Sequence, residues 1–222
     1  MEQVFERLGY GGWMDLALQG SLLDFADEMT LRDLAAGMRR TPLTRGAWVD
    51  VRPGWLVAGD ELFTTLLSDV PWHAERRPMY DRVVAVPRLT RFYAAGEPLP
   101  HLILDEARDA LSRHYAAELG EPFVTAGMCL YRDGRDSVAW HGDRIGRSRD
   151  SDTMVAILSL GSRRTLAMRP RDGGTSLRFP LGHGDLVVMG GSCQRTWDHA
   201  IPKTSESVGP RISVQFRVAG VR

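Results

Sequence analysis

The stretches Phe123–Tyr131 (FVTAGMCLY), Thr153–Leu160 (TMVAILSL), Arg164–Pro170 (RTLAMRP), Thr175–Pro180 (TSLRFP), Asp185–Gly190 (DLVVMG) and Arg211–Val218 (RISVQFRV) decide the fold. Each is short, rich in apolar residues and closed by Gly, Pro or charged turns. Many short strands with regular turns predict an all-β sandwich or barrel. The expected class is mainly β with flanking helices, around a jelly-roll-like C-terminal core.

Upstream the pattern changes. Thr30–Arg40 (TLRDLAAGMRR) predicts a short helix starting at Thr30. Trp48–Arg52 alternates as a strand, Pro53-Gly54 signals a turn, and Trp55-Leu-Val reads as the hairpin partner. Asp60 caps an expected helix to Ser68, with Leu62, Phe63, Leu66 and Leu67 facing inward. A strand at 82–93 precedes the clearest helix, 100–119. There Leu104, Ala107, Leu111, Tyr115 and Leu119 form one apolar stripe and Gly120 ends it. Residues 1–70 are expected to be an N-terminal elaboration packed on a domain of residues 71–222, together one compact unit. Part of residues 1–20 is expected to be loosely ordered.

Bulk properties narrow the function classes. The chain has 222 residues, 43% hydrophobic and 25% charged, with formal net charge zero. A neutral molecule has no global pull toward nucleic acid or anionic membrane, so any such contact must come from a local patch. Two cysteines, Cys129 and Cys193, exclude a disulfide framework and suit reduced thiols in the cytoplasm. No apolar run reaches the roughly 20 residues of a membrane helix, and the N-terminus lacks a signal-peptide pattern.

The chemistry concentrates in three places. His141 and Asp143 are two apart, so on a strand they share a face. With His199 they make the two-imidazole, one-carboxylate set that holds non-haem Fe(II) with open positions. A second triplet, His183-Gly-Asp185, lies between glycines just before Leu186-Val-Val-Met and reads as a turn opening a strand. In Arg211–Arg217 the period of two places Arg211, Ser213, Gln215 and Arg217 on one face and Ile212, Val214 and Phe216 on the other. A buried guanidinium needs an anion, and its fork matches a carboxylate.

These residues resemble the AlkB family of Fe(II)/2-oxoglutarate-dependent dioxygenases. The resemblance covers residues 70–219. It runs through Tyr131-Arg-Asp-Gly, His141-Gly-Asp143, FPLGHGDLVVM at Phe179–Met189, Trp197-Asp-His199 and the closing Arg211–Arg217 strand. It implies a double-stranded β-helix core with iron on His141, Asp143 and His199. Tyr131 and Arg211 are implied to hold the far carboxylate of 2-oxoglutarate, and Arg217 to orient Asp143. Ser213, Cys129 and Gln215 stand where the family usually has Asn, Asn and Thr. Arg144 and Ile145 stand where members that repair bases often carry an acid. The implied reaction consumes O2 and 2-oxoglutarate, hydroxylates an N-methyl group such as that of 1-methyladenine or 3-methylcytosine, and releases formaldehyde.

A flipped base needs flat faces and a basic track. The aromatic candidates are Trp72, Tyr80 and Tyr93, and the basic ones Arg144, Arg147 and Arg149, with Arg163, Arg164, Arg169 and Arg171 beyond them. The implied partner is alkylated DNA or RNA, single-stranded, met by a monomer with no membrane attachment. Two alternatives are a dioxygenase of the same fold acting on a protein side chain or small molecule, and a non-catalytic jelly-roll binding module.

Overall fold

The computed structural model describes residues 28–79, 82–143 and 146–221. Residues 1–20, expected to be loosely ordered in part, lie outside that range. The element order is β1 (Thr30–Leu31), β2 (Arg39–Pro42), β3 (Ala47–Arg52), β4 (Leu56–Val57), α1 (Asp60–Asp69), β5 (His73–Met79), β6 (Arg82–Tyr93), α2 (Leu102–His114) and α3 (Ala116–Leu119). There follow β7 (Thr125–Tyr131), β8 (Val138–His141), β9 (Val155–Gly161), β10 (Arg164–Pro170), β11 (Leu177–Leu181), β12 (Asp185–Gly191), α4 (Cys193–Thr196), β13 (Trp197–Ile201) and β14 (Arg211–Arg217).

An eight-stranded sheet has the order β2-β3-β12-β9-β14-β7-β6-β5, and a four-stranded sheet the order β11-β10-β13-β8. Neighbours are antiparallel throughout. The expected jelly-roll core is therefore present. Alternation along the strands builds two hydrophobic clusters. Ala156, Leu158, Val188, Ile212, Val214 and Phe216 of the large sheet pack with Leu62 and Leu66 of α1 and Leu104, Ala107 and Leu111 of α2. Val155, Ile157, Val187 and Met189 point the other way, toward Leu166, Met168, Leu181, Trp197 and Ile201 of the small sheet. The result is helices, large sheet and small sheet in layers, with the polar face of β14 turned into the space between the sheets.

Three local readings need correction. Residues 30–40 form β1, a single 3-10 turn at Ala35–Gly37 and β2 rather than a helix. Asp33 Oδ1 accepts from the Ala36 amide and so closes that one turn. The chain then pairs in register with β3 (Arg40↔Asp50), and this ladder overrides local helix propensity. The strand after Pro53-Gly54 pairs with β1, not β3. Both edges of β3 are already taken, by β2 and β12. The helix expected over 100–119 breaks at Tyr115 (φ −96°, ψ 8°), whose fully buried ring stacks on Trp48 and whose hydroxyl donates to buried Asp50 at 2.9 Å. Gly120 ends α3 in the left-handed conformation (φ +72°), as a C-terminal glycine does.

Candidate active site

A cavity of about 340 Å³ opens between the sheets. Its walls bring together residues far apart in sequence: Tyr131, His141, Asp143, His199, Arg211 and Arg217, with Cys129, Ser213 and Gln215 on the floor. The fold makes this inevitable once register is set. Arg211 lies across from Tyr131, Ser213 from Cys129, and Gln215 from Gly127. His199 on β13 lies across from His141 on β8.

His141, Asp143 and His199 each offer one ligand atom, and these atoms lie within 4.8 Å of one another. The His141 and His199 ring centroids are 4.3 Å apart. His141 Nδ1 donates to the Ala139 carbonyl at 2.8 Å, which leaves Nε2 as the lone-pair nitrogen facing Asp143 Oδ1 at 3.5 Å. Arg217 donates to the other carboxylate oxygen, Oδ2, through Nε (3.0 Å) and Nη2 (2.8 Å). Burial alone would raise the Asp143 pKa, but Arg217 and the two imidazoles outweigh it and hold it well below the ordinary range. Burial, reinforced by His141 and Arg217, pushes His199 down to about 4, so it is a neutral imidazole at pH 7. The donor set suits a divalent ion with open positions.

Beside this cluster Arg211 is almost wholly buried, 1% exposed. Its Nε donates to Ser159 Oγ at 3.0 Å, and its Nη1 has no partner among the described residues. Its guanidinium carbon lies 5.2 Å from the Tyr131 ring centroid. Burial lowers its pKa and raises that of Tyr131, so the two groups form a desolvated polar pair on the cavity wall. A buried guanidinium with an unpartnered N–H suits a carboxylate.

Several residues invisible to sequence reasoning support the centre. Gln194, 1% exposed, accepts the Asp143 amide hydrogen at 3.1 Å, and buried Ser148 donates to the Asp143 carbonyl. The Asp143 backbone is thus held at both its N–H and its carbonyl. Arg88 on β6 also lines the cavity, and its buried Nε has no partner among the described residues. A Gln on a short helix carries no pattern that sequence could flag, and Arg88 was hidden in an ordinary strand.

The second triplet is structural. Gly184 has φ +77°, and a Cβ there would meet the Leu56 carbonyl oxygen at 2.2 Å. Asp185 accepts from the Gly182 and Gly54 amides, and His183 Nδ1 accepts from the Gly161 amide at 2.9 Å.

The substrate candidates scatter. Trp72 donates its indole N–H to the Leu66 carbonyl at 3.2 Å and packs on the helix-side core. Tyr93 is buried in that core. Neither lines the cavity, because each carries apolar area that the helix layer buries. Tyr80 and Arg144 lie outside the described residues. Arg147 is engaged by Glu121 (Nη1–Oε2 3.0 Å), and Arg149 is exposed beside Asp150. Arg164 is buried and donates to the carbonyls of Asp133, Asp136 and Pro202, so it braces loops rather than contacting solvent. One aromatic face escaped the sequence reading. Trp140, 37% exposed and next to His141, carries Arg169 4.4 Å above its ring.

Known proteins resemble this chain in sequence and in fold. The sequence pattern of the 2OG-Fe(II) oxygenase superfamily matches residues 59–217. The chain belongs to that superfamily. Its curated relatives include AlkB homologues. It is 33% identical over 192 residues to alpha-ketoglutarate-dependent dioxygenase alkB homolog 3 of Bos taurus, covering 74% of this chain and 64% of the relative. The human homolog 3 is 32% identical, covering 82% and 66%. Human DNA oxidative demethylase ALKBH2 is 27% identical, covering 71% and 67%. The chain therefore spans just under two thirds of the length of the homolog 3 proteins. Among solved structures, a prolyl hydroxylase from Trichoplax adhaerens superposes with TM-score 0.59 at 10% identity, covering 79% of this chain and 84% of that one. OsALKBH1 superposes with TM-score 0.57 at 12% identity, covering 81% and 100%. These share the fold. No helix among the described residues is long and apolar enough to cross a membrane.

Proposed function

We propose that this protein is an Fe(II)/2-oxoglutarate-dependent dioxygenase that oxidatively demethylates N-alkylated nucleic-acid bases such as 1-methyladenine or 3-methylcytosine. The observation that carries the reading is one buried carboxylate between two imidazoles, beside a buried guanidinium with a free donor, in one cavity. His141, Asp143 and His199 are the residues to hold iron. Arg211 and Tyr131 are those to take the far carboxylate of 2-oxoglutarate, over the floor of Cys129, Ser213 and Gln215. Iron(II) bound there with 2-oxoglutarate supplies the oxidising power by which O2 hydroxylates an N-methyl group.

The chain's own residues do the rest. Arg217 fixes Asp143 so that one oxygen faces the imidazoles. Gln194 and Ser148 lock its backbone. Ile157, Leu166 and Leu181 give the cavity apolar walls that exclude bulk water. His141, at 38% side-chain exposure, is the ligand nearest solvent and marks the mouth.

The nucleic-acid assignment is supported by the names of the relatives, which include DNA oxidative demethylases. Outside the cavity lining, part-exposed Trp140 under Arg169 is a surface pair that we read as the first phosphate contact, through Arg169, which also reaches Asp198 at 3.8 Å. Exposed Arg149 is the second phosphate contact. We read the partner as single-stranded and the protein as a cytoplasmic monomer. The test is succinate and formaldehyde release across a panel of methylated oligonucleotides, with a methyl-lysine peptide as control. Formaldehyde from the peptide alone moves the substrate to proteins. If iron and 2-oxoglutarate leave the melting temperature unchanged, the chain is a binding module.

A further inference from the structure

Cys129 is a free thiol in an unusual place. It lies on the inward face of β7, two residues before Tyr131, and lines the cavity that also holds Arg211. Along a strand two residues advance about 7 Å, so the sulfur stands one step down the ladder from the Tyr131–Arg211 pair. Gln215 Nε2 donates to its sulfur at 3.4 Å and to Ser213 Oγ at 2.8 Å. Gln215 Oε1 in turn accepts from Arg217 Nη2 at 3.1 Å. The glycine opposite makes room for this arrangement. A Cβ at Gly127 would come within 2.9 Å of Arg217 Nη1 and 3.2 Å of Gln215 Oε1. The sulfur is thus held in place, near an anion-binding group, at the floor of an open cavity.

An independent observation points to a ligand here. Arg211 is 1% exposed and its Nη1 has no partner among the described residues. A small carboxylate that pairs with it from within the cavity shares that space with the Cys129 thiol, which lines the same cavity. If one of its carbons is electrophilic, the cavity supplies both the anchor and the nucleophile.

We propose that Cys129 is a covalent modification site for short α,β-unsaturated dicarboxylates, steered onto it by Arg211. The thiol sulfur adds to one carbon of the double bond, forming a C–S bond. The thiol proton ends on the adjacent carbon, and no oxidant or further reactant is consumed. The adduct fills the co-substrate floor and leaves a new carboxylate near Arg211, so modification and 2-oxoglutarate binding exclude one another. The inference rests on the reading that Arg211 is a carboxylate-binding group. Cys193 is the internal control. It is 1% exposed and outside the cavity, and burial pushes its thiol up to about 12.

The experiment labels the native full-length protein with fumarate and maps adducts by peptide mass spectrometry. In parallel it compares labelling rates for iodoacetate and iodoacetamide, near-isosteric reagents that differ in charge. Cys129 is expected to carry the fumarate adduct while Cys193 stays free. The iodoacetate-to-iodoacetamide ratio at Cys129 is expected to exceed that of free glutathione by roughly ten- to a hundredfold, the worth of one charged hydrogen bond. 2-Oxoglutarate should suppress labelling by both reagents. A glutathione-like ratio, or equal adducts on both cysteines, overturns the proposal. If 2-oxoglutarate fails to slow even neutral iodoacetamide, the carboxylate-site reading of the cavity fails instead. If it protects but no charge preference exists, only the steering to Cys129 fails. Arg211→Gln, with folding checked by melting, should bring the ratio back to that of glutathione.

Discussion

Arg217 donates twice to a single oxygen of Asp143, Oδ2, and leaves Oδ1 to face His141. The pair is buried, with side-chain exposures of 12% and 9%. An arginine spread over both carboxylate oxygens would occupy the lone pairs a metal needs. Here it pins the group and leaves half of it free. Replacing Arg217 by Met leaves a buried carboxylate without its partner, a change that costs about 3–5 kcal/mol. The metal-free variant is expected to melt lower by that amount, and its iron affinity to fall roughly ten- to a hundredfold, as for lost groups that orient ligands. Anaerobic calorimetric titration checks both, and unchanged affinity would remove Arg217 from the ligand's support.

Much of this was legible because β structure writes itself at period two. The polar face of Arg211–Arg217 could be sorted residue by residue, and each β run from Thr125 onward is a strand. The His183 triplet could be set aside from its glycines alone. What escaped depended on long-range pairing. The Thr30–Arg40 segment has helical composition, yet it yields to the β2–β3 ladder. Gln194 and Ser148 meet Asp143 only after α4 packs beside the loop, and nothing local marks them. Trp72 and Tyr93 were plausible stacking groups by type, but their large apolar area went to the core.

The two His-X-Asp triplets separate by metal loading. Asp143→Ala and His199→Ala should each abolish tight iron binding while far-ultraviolet dichroism keeps its β signature. His183→Ala should load iron normally. It leaves the Gly161 amide without its acceptor, which costs about 1–3 kcal/mol for a buried donor. Metal analysis of anaerobically loaded protein decides the matter, and iron loss in the His183 variant alone would reverse the assignment.

Arg211→Ala should act on the co-substrate and spare the metal. A charge-assisted contact is worth about 1.5–3 kcal/mol. The apparent 2-oxoglutarate constant should therefore rise roughly ten- to a hundredfold, each factor of ten being about 1.4 kcal/mol. Removing a buried cation without a carboxylate partner should not lower the melting temperature of the free protein as strongly as Arg217→Met does. A 2-oxoglutarate titration monitored by intrinsic fluorescence reads the constant, and an unaltered value would take Arg211 out of the site.

The metal-free protein should lose stability on mild acidification, with His199 as a main cause. Its folded pKa is about 4, set first by burial and then by His141 and Arg217. The unfolded value is about 6.5. As pH falls from about 6.5 to about 4, the unfolded chain takes up a proton there and the folded one does not, so stability declines across that window. The shift corresponds to a loss of about 3 kcal/mol once pH reaches the folded value. Asp143 works in a different range. Its folded pKa is depressed, so its contribution is present above about 4 and fades only below that, as pH falls toward the folded value. Urea midpoints of metal-free wild type and His199→Leu, measured in steps between pH 7 and 4.5, separate the two groups. The wild type should fall steeply and the variant more gently. Parallel curves would mean that His199 is not the buried neutral imidazole that a metal ligand has to be.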